Sequence, residues 1–240
     1  MLLSVQALDT GYGQGRICQG IDLEVGEGEL VCLLGRNGVG KTTLLRSIIG
    51  LLPATAGRLS FDGRDITRLA DYRRARLGIG YVPQGRLVFG RLTVAENLRS
   101  GTVIGGKRLA RGWPEDVLDY FPILRERLNQ RAGTMSGGEQ QMLAIARALA
   151  GKPRLLLLDE PSEGIQPSIV QAIREILRQI QRDRKLAMLL VEQNLKFASA
   201  LAPRGYVIEK GRIVAKGPMS ALVADEVVRE HLTFSSEAAP

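Results

Sequence analysis

An α/β fold built around a mostly parallel sheet follows from three features of the sequence. Short, nearly continuous apolar runs recur at Leu30 to Leu34, Leu155 to Leu158 and Leu186 to Val191, as strands buried on both faces require. Between them lie stretches with helical periodicity, most clearly Ser168 to Ile180, where Ile169, Val170, Ile173, Ile176, Leu177 and Ile180 form one apolar stripe. Strand and helix signals alternate along the chain, the pattern of crossover connections between parallel strands.

From the N-terminus, Leu3 to Leu8, Ile21 to Val25 and Arg58 to Asp62 read as short antiparallel strands separated by glycine turns. The strand at Leu30 runs into a glycine-rich turn and then a helix through Leu44, Leu45, Ile48 and Ile49. From about Gly85 to Gly133 the signals turn helical, with Pro114 suited to a first turn and Val117, Leu118 and Phe121 on one face. That stretch is expected to be an inserted helical subdomain. A further helix opens after Ser136, runs through Leu143, Ile145, Ala146 and Leu149, and stops at Gly151. Tyr206 to Glu209 and Arg212 to Ala215 flank Lys210-Gly211, a hairpin signal. The tail from Ser235 to Pro240 is small and polar and is expected to fray. The expected organisation is one domain over 1–240: a core from 1–84 and 152–220, a helical subdomain at 85–151 and a C-terminal segment at 221–240.

A chain of 240 residues with 45% hydrophobic content can bury one substantial core. The net charge of +8 raises the question of nucleic acid, but the arginines are scattered rather than packed into one tract, so a solvated, mildly basic surface with no nucleic-acid partner is expected. No run approaches the roughly 20 apolar residues of a membrane span. The start lacks the blocks of a signal peptide, so a soluble intracellular chain is expected. Cys18, Cys32 and His231 show no metal-ligand spacing, and the cysteines read as small core residues.

Three motifs carry chemistry. Gly35-Arg36-Asn37-Gly38-Val39-Gly40-Lys41-Thr42-Thr43 follows a strand and opens a helix, the context a phosphate loop requires. Its backbone N–H groups would curl around phosphate oxygens, Lys41 would reach the β and γ phosphates, and the Thr42 hydroxyl would ligate magnesium. Second, the apolar strand at Leu155 delivers Asp159 and Glu160 at its C-terminal end. Alone, an acidic pair there is often only a helix cap; behind a phosphate loop it suggests Asp159 for magnesium and Glu160 for the water that attacks the γ phosphate. Third, Met135-Ser136-Gly137-Gly138-Glu139-Gln140 contains a capping box, Ser136 with Glu139. Capping does not explain two glycines in a first helical turn, which are costly unless another backbone or a phosphate approaches closely.

With these motifs in this order, nearly the whole chain resembles the ATP-binding subunits of ABC transporters, which have a P-loop NTPase core. The resemblance implies ATP and Mg2+ as ligands. It makes Tyr12 the aromatic on which adenine stacks and Gln84 a magnesium contact; without it they read as a surface turn residue and a loop polar. It also implies that Ser136, Gly137, Gly138 and Glu139, the signature, act on nucleotide held by a second ATPase subunit. Further partners implied are two membrane permease subunits and, indirectly, a periplasmic or extracellular solute-binding protein. The location implied is peripheral, on the cytoplasmic face of the inner or plasma membrane. Phe89 and Leu92 to Leu98 would receive the permeases, although a core role fits the sequence equally well.

Within the family the wording resembles the branched-chain amino acid and amide importers, closest to the urea-uptake group, which shares CLLGRNGVGKTTLL and EGIQPSI. Urea or a related small amide is therefore the expected cargo, with branched-chain amino acids as the alternative. Soluble family members that act on ribosomes or DNA typically carry two cassettes or long coiled-coil insertions, which this sequence lacks. The chain departs from the common family wording at Met135, at Glu139, at Gln166 and at Gln193, where a histidine usually contacts the γ phosphate. Gln193 is expected to take that place, since its amide can donate a hydrogen bond to a phosphate oxygen.

Overall fold

The computed structural model describes residues 1–13, 15–103, 114–226, 228 and 232, and two sheets organise them. The smaller is antiparallel, in the order β2 (Gly15–Val25), β1 (Leu3–Tyr12), β4 (Ala54–Phe61), β5 (Arg64–Asp65). The larger has the order β10 (Arg212–Pro218), β9 (Arg204–Glu209), β3 (Leu30–Leu34), β8 (Ala187–Glu192), β7 (Leu155–Asp159), β6 (Ile79–Val82). Every pairing in it is parallel except the β9–β10 hairpin. That hairpin turns on Lys210 and Gly211, both left-handed at φ 44 and 76, the backbone that matches strand twist.

The unbroken apolar runs exist because the large sheet is covered on both faces. Cys32, Leu34, Leu156, Leu158, Met188 and Leu190 join the core with the helical layer. Their neighbours Val31, Leu33, Leu155, Leu157, Leu189 and Val191 join the core with the antiparallel sheet and α1 (Lys41–Ile49). Alternate residues thus feed opposite cores, so no position along these strands can be polar until the strand ends.

Between β6 and β7 in the chain, helices α3 (Val94–Thr102), α4 (Glu115–Leu118), α5 (Pro122–Glu126) and α6 (Gly137–Ala150) pack against one another. Val117, Leu118 and Phe121 are buried there, while Pro114 stands one residue ahead of α4. Val94 and Leu98 are core residues, which decides against an exposed apolar run at 92–98; Phe89 is open, 52% exposed. α6 stops at Gly151 in right-handed backbone, φ −73, and Lys152 at φ 48 makes the left-handed turn. α7 (Pro167–Arg184) buries Ile173, Leu177 and Ile180, with Ile169, Val170 and Ile176 partly covered against the same core. The chain continues through α8 (Leu195–Leu201) and α9 (Met219–Ala224).

The sequence reading left some elements short and missed others. β1 and β2 run on to Tyr12 and back from Gly15, past Ala7 at φ 44 and Gly20 at φ 60, which kink the pair and break its apolar alternation. β6 is four residues with a glycine, and α2 (Asp71–Arg76) is a short polar helix. His231 and residues 235–240, for which fraying was expected, lie outside the described residues. Among the described residues no helix is long and apolar enough to cross a membrane.

Leu157 is fully buried between the antiparallel sheet and the strands on either side of β7. Leu157→Ala is expected to lose about 2–5 kcal/mol of unfolding free energy, measured by urea denaturation.

Candidate functional site

The parallel strands β3, β8, β7 and β6 deliver their C-terminal ends to one edge of the large sheet, the edge where α/β sheets bind ligands. After β3 the chain turns through Gly35, Arg36 and Asn37 into Gly38 at φ 80 and Gly40 at φ 112, backbone that L side chains rarely adopt. Such turns point successive N–H groups inward, and here the N-terminus of α1 stands behind them.

Lys41, the first residue of α1, is buried. Its ammonium donates to the carbonyls of Gly35 and Arg36, each at 2.8 Å, and pairs with Glu160 Oε1 at 2.8 Å. Three donors meet three acceptors. Glu160 reaches this point because the chain turns sharply as β7 ends: its φ is 48, and its N–H donates to Val191 O at 2.9 Å. Left-handed backbone in a non-glycine residue costs roughly 1–2 kcal/mol, strain that gathers at functional sites.

Asp159 is fully buried, with Oδ1 accepting from Thr42 Oγ1 at 3.0 Å and Oδ2 from the Tyr81 hydroxyl at 3.0 Å. Burial pushes its carboxyl above the ordinary value, and the two hydroxyl donors oppose that rise. Burial and the Asp159 charge raise the Tyr81 phenol as well, so it stays a donor. Past β6, Gln84 Nε2 donates to Glu163 Oε2 at 2.6 Å and to Glu160 Oε2 at 3.4 Å. A cleft of 370 Å³ opens beside these groups, lined among others by Asn37, Gly38, Gly40, Lys41, Thr42, Thr43, Gln84 and Glu160. Arg46 also lines it and donates to the Tyr12 hydroxyl at 2.9 Å, linking the exposed Tyr12 ring to its rim.

The remaining candidates stand apart. Gln193 is exposed and does not line the cleft, and neither do Ser136, Gly137, Gly138 and Glu139. Those four begin α6, where the capping box is complete: Glu139 Oε2 accepts from the Ser136 N–H at 2.8 Å and hydroxyl at 2.9 Å. Glu139 Oε1 also pairs with Arg127 at 3.2 Å, so this carboxylate is engaged within its own chain. A Cβ at Gly138 would come within 2.6 Å of Ile169 Cγ2 on α7, so a side chain of this chain already crowds that position.

Sequence reasoning missed Tyr81, Arg46 and Glu192. Glu192 ends β8 and is 2% exposed; its oxygens accept from the backbone N–H groups of Ser162 and Asn194, each at 3.1 Å. It thereby ties the turn after Glu160 to the turn carrying Gln193. The signal was present, an acid at the end of an apolar run, as at Asp159.

Magnesium suits this donor set. Thr42, Gln84 and Asp159 offer oxygen ligands, and among the described residues no three His, Cys, Asp or Glu side chains converge to cage a metal. A magnesium ion held by one or two side chains and shared with phosphates needs no such cage.

Comparison with known proteins identifies the family. Residues 18–163 match the family described as ABC transporter. The chain belongs to the ABC transporter family. It is 46% identical to the high-affinity branched-chain amino acid transport ATP-binding protein BraG of Pseudomonas aeruginosa, over 95% of this chain and 98% of that one. It is 37% identical to the probable branched-chain amino acid transport ATP-binding protein LivF of Archaeoglobus fulgidus, over 94% and 95%. The lipopolysaccharide export ATP-binding protein LptB of Escherichia coli is 36% identical over 95% of each chain. Among solved structures, a nucleotide-free ATP-binding cassette from an ABC transporter superposes with a TM-score of 0.83 at 25% identity, covering 98% of this chain and 99% of that one. The chain is thus an ABC ATPase that binds and hydrolyses ATP.

Burial raises the Glu192 carboxyl of this ATPase above its ordinary value of 4.5. The folded state therefore holds that proton to higher pH than the unfolded chain, and stability from this group is lost as pH rises through the folded value. Glu192→Gln should remove the dependence: in chemical denaturation from about pH 4 to 7 the difference in stability should move in the variant's favour as pH rises. A difference that stays flat would show that Glu192 does not titrate in this way.

Proposed function

We propose that this chain is the ATP-hydrolysing subunit of a branched-chain amino acid importer, acting on the cytoplasmic face of the membrane with separate permease subunits. The observation that carries the chemistry is the junction of Lys41, Thr42, Asp159 and Glu160 at one sheet edge. For the cargo, the support is the 46% identity to BraG over nearly the full length of both chains, against 36% to the lipopolysaccharide exporter. Both relatives reported with an amino acid cargo favour this reading over the urea expected from the sequence.

In this reading the loop from Gly35 to Thr43 and Lys41 hold the phosphates, and Tyr12 stacks on the adenine. Thr42, Asp159 and Gln84 hold magnesium, which when bound neutralises phosphate charge. Glu160 accepts the proton of the attacking water, and its left-handed backbone aims it into the cleft. Phosphate competes with Glu160 for Lys41, and displacement from Lys41 frees the carboxylate for that role. Gln193 donates to the departing γ phosphate. Ser136, Gly137 and Gly138 open a capped helix outside this chain's own cleft. They serve nucleotide held by a second ATPase subunit, identical or homologous.

The whole chain forms one ABC domain, with 85–151 as its helical subdomain and 221–240 as a C-terminal segment. A groove of 380 Å³ lies between that subdomain and the core, lined in part by Leu51, Tyr72 and Phe89, which are 55%, 51% and 52% exposed. Apolar surface of this kind fits a short helix from a permease. A solute-binding protein outside the membrane acts only through the permeases.

The test is solute-stimulated ATP turnover by the complex assembled with its permeases and binding protein. Leucine, isoleucine or valine should stimulate it, urea and short amides should not, and Glu160→Gln should abolish turnover while ATP still binds. Stimulation by urea alone would overturn the cargo; equal turnover in the variant would remove Glu160 from catalysis.

A further inference from the structure

Directly after Gln84 the chain enters backbone that side chains rarely adopt: Gly85, Arg86 and Leu87 have φ of 81, 72 and 42. Two successive non-glycine residues in this region need support from their surroundings. Arg147, on α6, donates to Leu87 O at 2.8 Å, and its guanidinium lies 4.9 Å from the centre of the Phe89 ring. Asn97, buried on α3, receives the Phe89 N–H at 2.9 Å and donates to Phe89 O at 3.1 Å.

Arg86 itself reaches the other way. Its Nη2 donates to Gly164 O at 2.9 Å, in the turn after Glu160. The same guanidinium lies across the Cα of Gly137: a Cβ built there would overlap Nη1 and stand 2.6 Å from Cζ. Gly137 is not among the residues of positive φ, so its backbone does not demand glycine. The guanidinium occupies the space a side chain there would take, and would have to move to admit one. Among the described residues no carboxylate forms an ion pair with Arg86, so no surface salt bridge holds it in place.

We propose that Arg86 is a positioning residue for ATP hydrolysis. Its guanidinium locks the start of the signature helix to the turn at Glu163 and Gly164, so that Gln84, Glu160 and Ser136 keep one mutual arrangement. Gln84 binds Glu163 at the near side of that turn and Arg86 binds Gly164 at the far side, so the two neighbours clasp it together. The inference rests on the reading of Ser136 and Glu160 as parts of ATP sites. It assigns Arg86 a task performed through Gln84, Glu160 and Ser136.

The test uses the full chain as Arg86→Ala, Arg86→Lys, Gly137→Ala and the double variant Arg86→Ala/Gly137→Ala. Amide hydrogen exchange without nucleotide should rise at 136–139 and at 160–164 in Arg86→Ala and in Gly137→Ala, because a methyl group at Gly137 displaces the guanidinium. In the assembled complex each should lower kcat on the order of 10-fold, since small misplacements of reacting groups cost that much or more. In Arg86→Ala KM for ATP should stay near the parent value, as the phosphate loop is untouched. Both lesions break the same contact to the turn at Gly164, so exchange at 160–164 should rise no further in the double variant than in either single one. Lysine can still reach Gly164 O but cannot lie flat across Gly137, and Arg86→Lys should recover part of the rate.

Unchanged exchange at both segments in Arg86→Ala, an unchanged kcat in that variant, or additive rises in exchange at 160–164 in the double variant would each overturn the proposal. Failure of the ATPase reading itself would appear separately, as a parent complex without ATP turnover whatever the exchange pattern.

Discussion

The buried pairing of Lys41 with Glu160 is the contact on which the arrangement of this cassette depends. Its side chains are 3% and 6% exposed, and a charge taken that far out of water persists only with good geometry and full hydrogen bonding. The carbonyls of Gly35 and Arg36 complete the shell of Lys41, which fixes the phosphate loop to the end of β7. Thr42 then meets Asp159, Asp159 meets Tyr81 on β6, and Gln84 just beyond β6 meets Glu160 and Glu163. Separate strand ends are joined by polar contacts that the apolar interior of the sheet could not supply.

That division of labour follows from sheet topology. Parallel strands covered on both faces must be apolar throughout, so polar chemistry is confined to where they end. Leu34, Asp159 and Glu192 end β3, β7 and β8: Leu34 pairs with Glu192, and Asp159 pairs with Val191, one residue before it. Both acids are buried and both carry carboxyls raised by that burial. One holds the hydroxyl of Thr42, the other the backbone of Ser162 and Asn194.

How far this was legible in the sequence depends on whether a feature is local. The phosphate loop, the acidic end of β7 and the capping box at Ser136 lie within a few residues, where backbone requirements constrain residue types directly. The central strands were legible because burial on both faces leaves an unmistakable apolar run. Tyr81 with Asp159, Glu192 with Ser162 and Arg86 with Gly137 were not, because each joins segments far apart in the chain whose approach only the fold determines. The two signature glycines illustrate the difference. Their cost in helix propensity was visible, and the side chains that crowd them, Arg86 at one and Ile169 at the other, were not. The N-terminal sheet was read short because glycines and the left-handed Ala7 interrupt its alternation. Cargo is less legible still: it rests on likeness to relatives, since the proposed site handles only nucleotide.

The central claim is that Lys41 of one subunit and Ser136 of another share a nucleotide. Its most direct measurement is ATP-dependent pairing of two variants in a Glu160→Gln background, one carrying Lys41→Ala and the other Ser136→Ala, followed by native mass spectrometry. Each variant alone has no intact shared site and should stay monomeric, whereas the mixture has one and should form a heterodimer holding a single ATP. A mixture that remains monomeric while the Glu160→Gln parent pairs would contradict the account and place both residues on nucleotide within one chain.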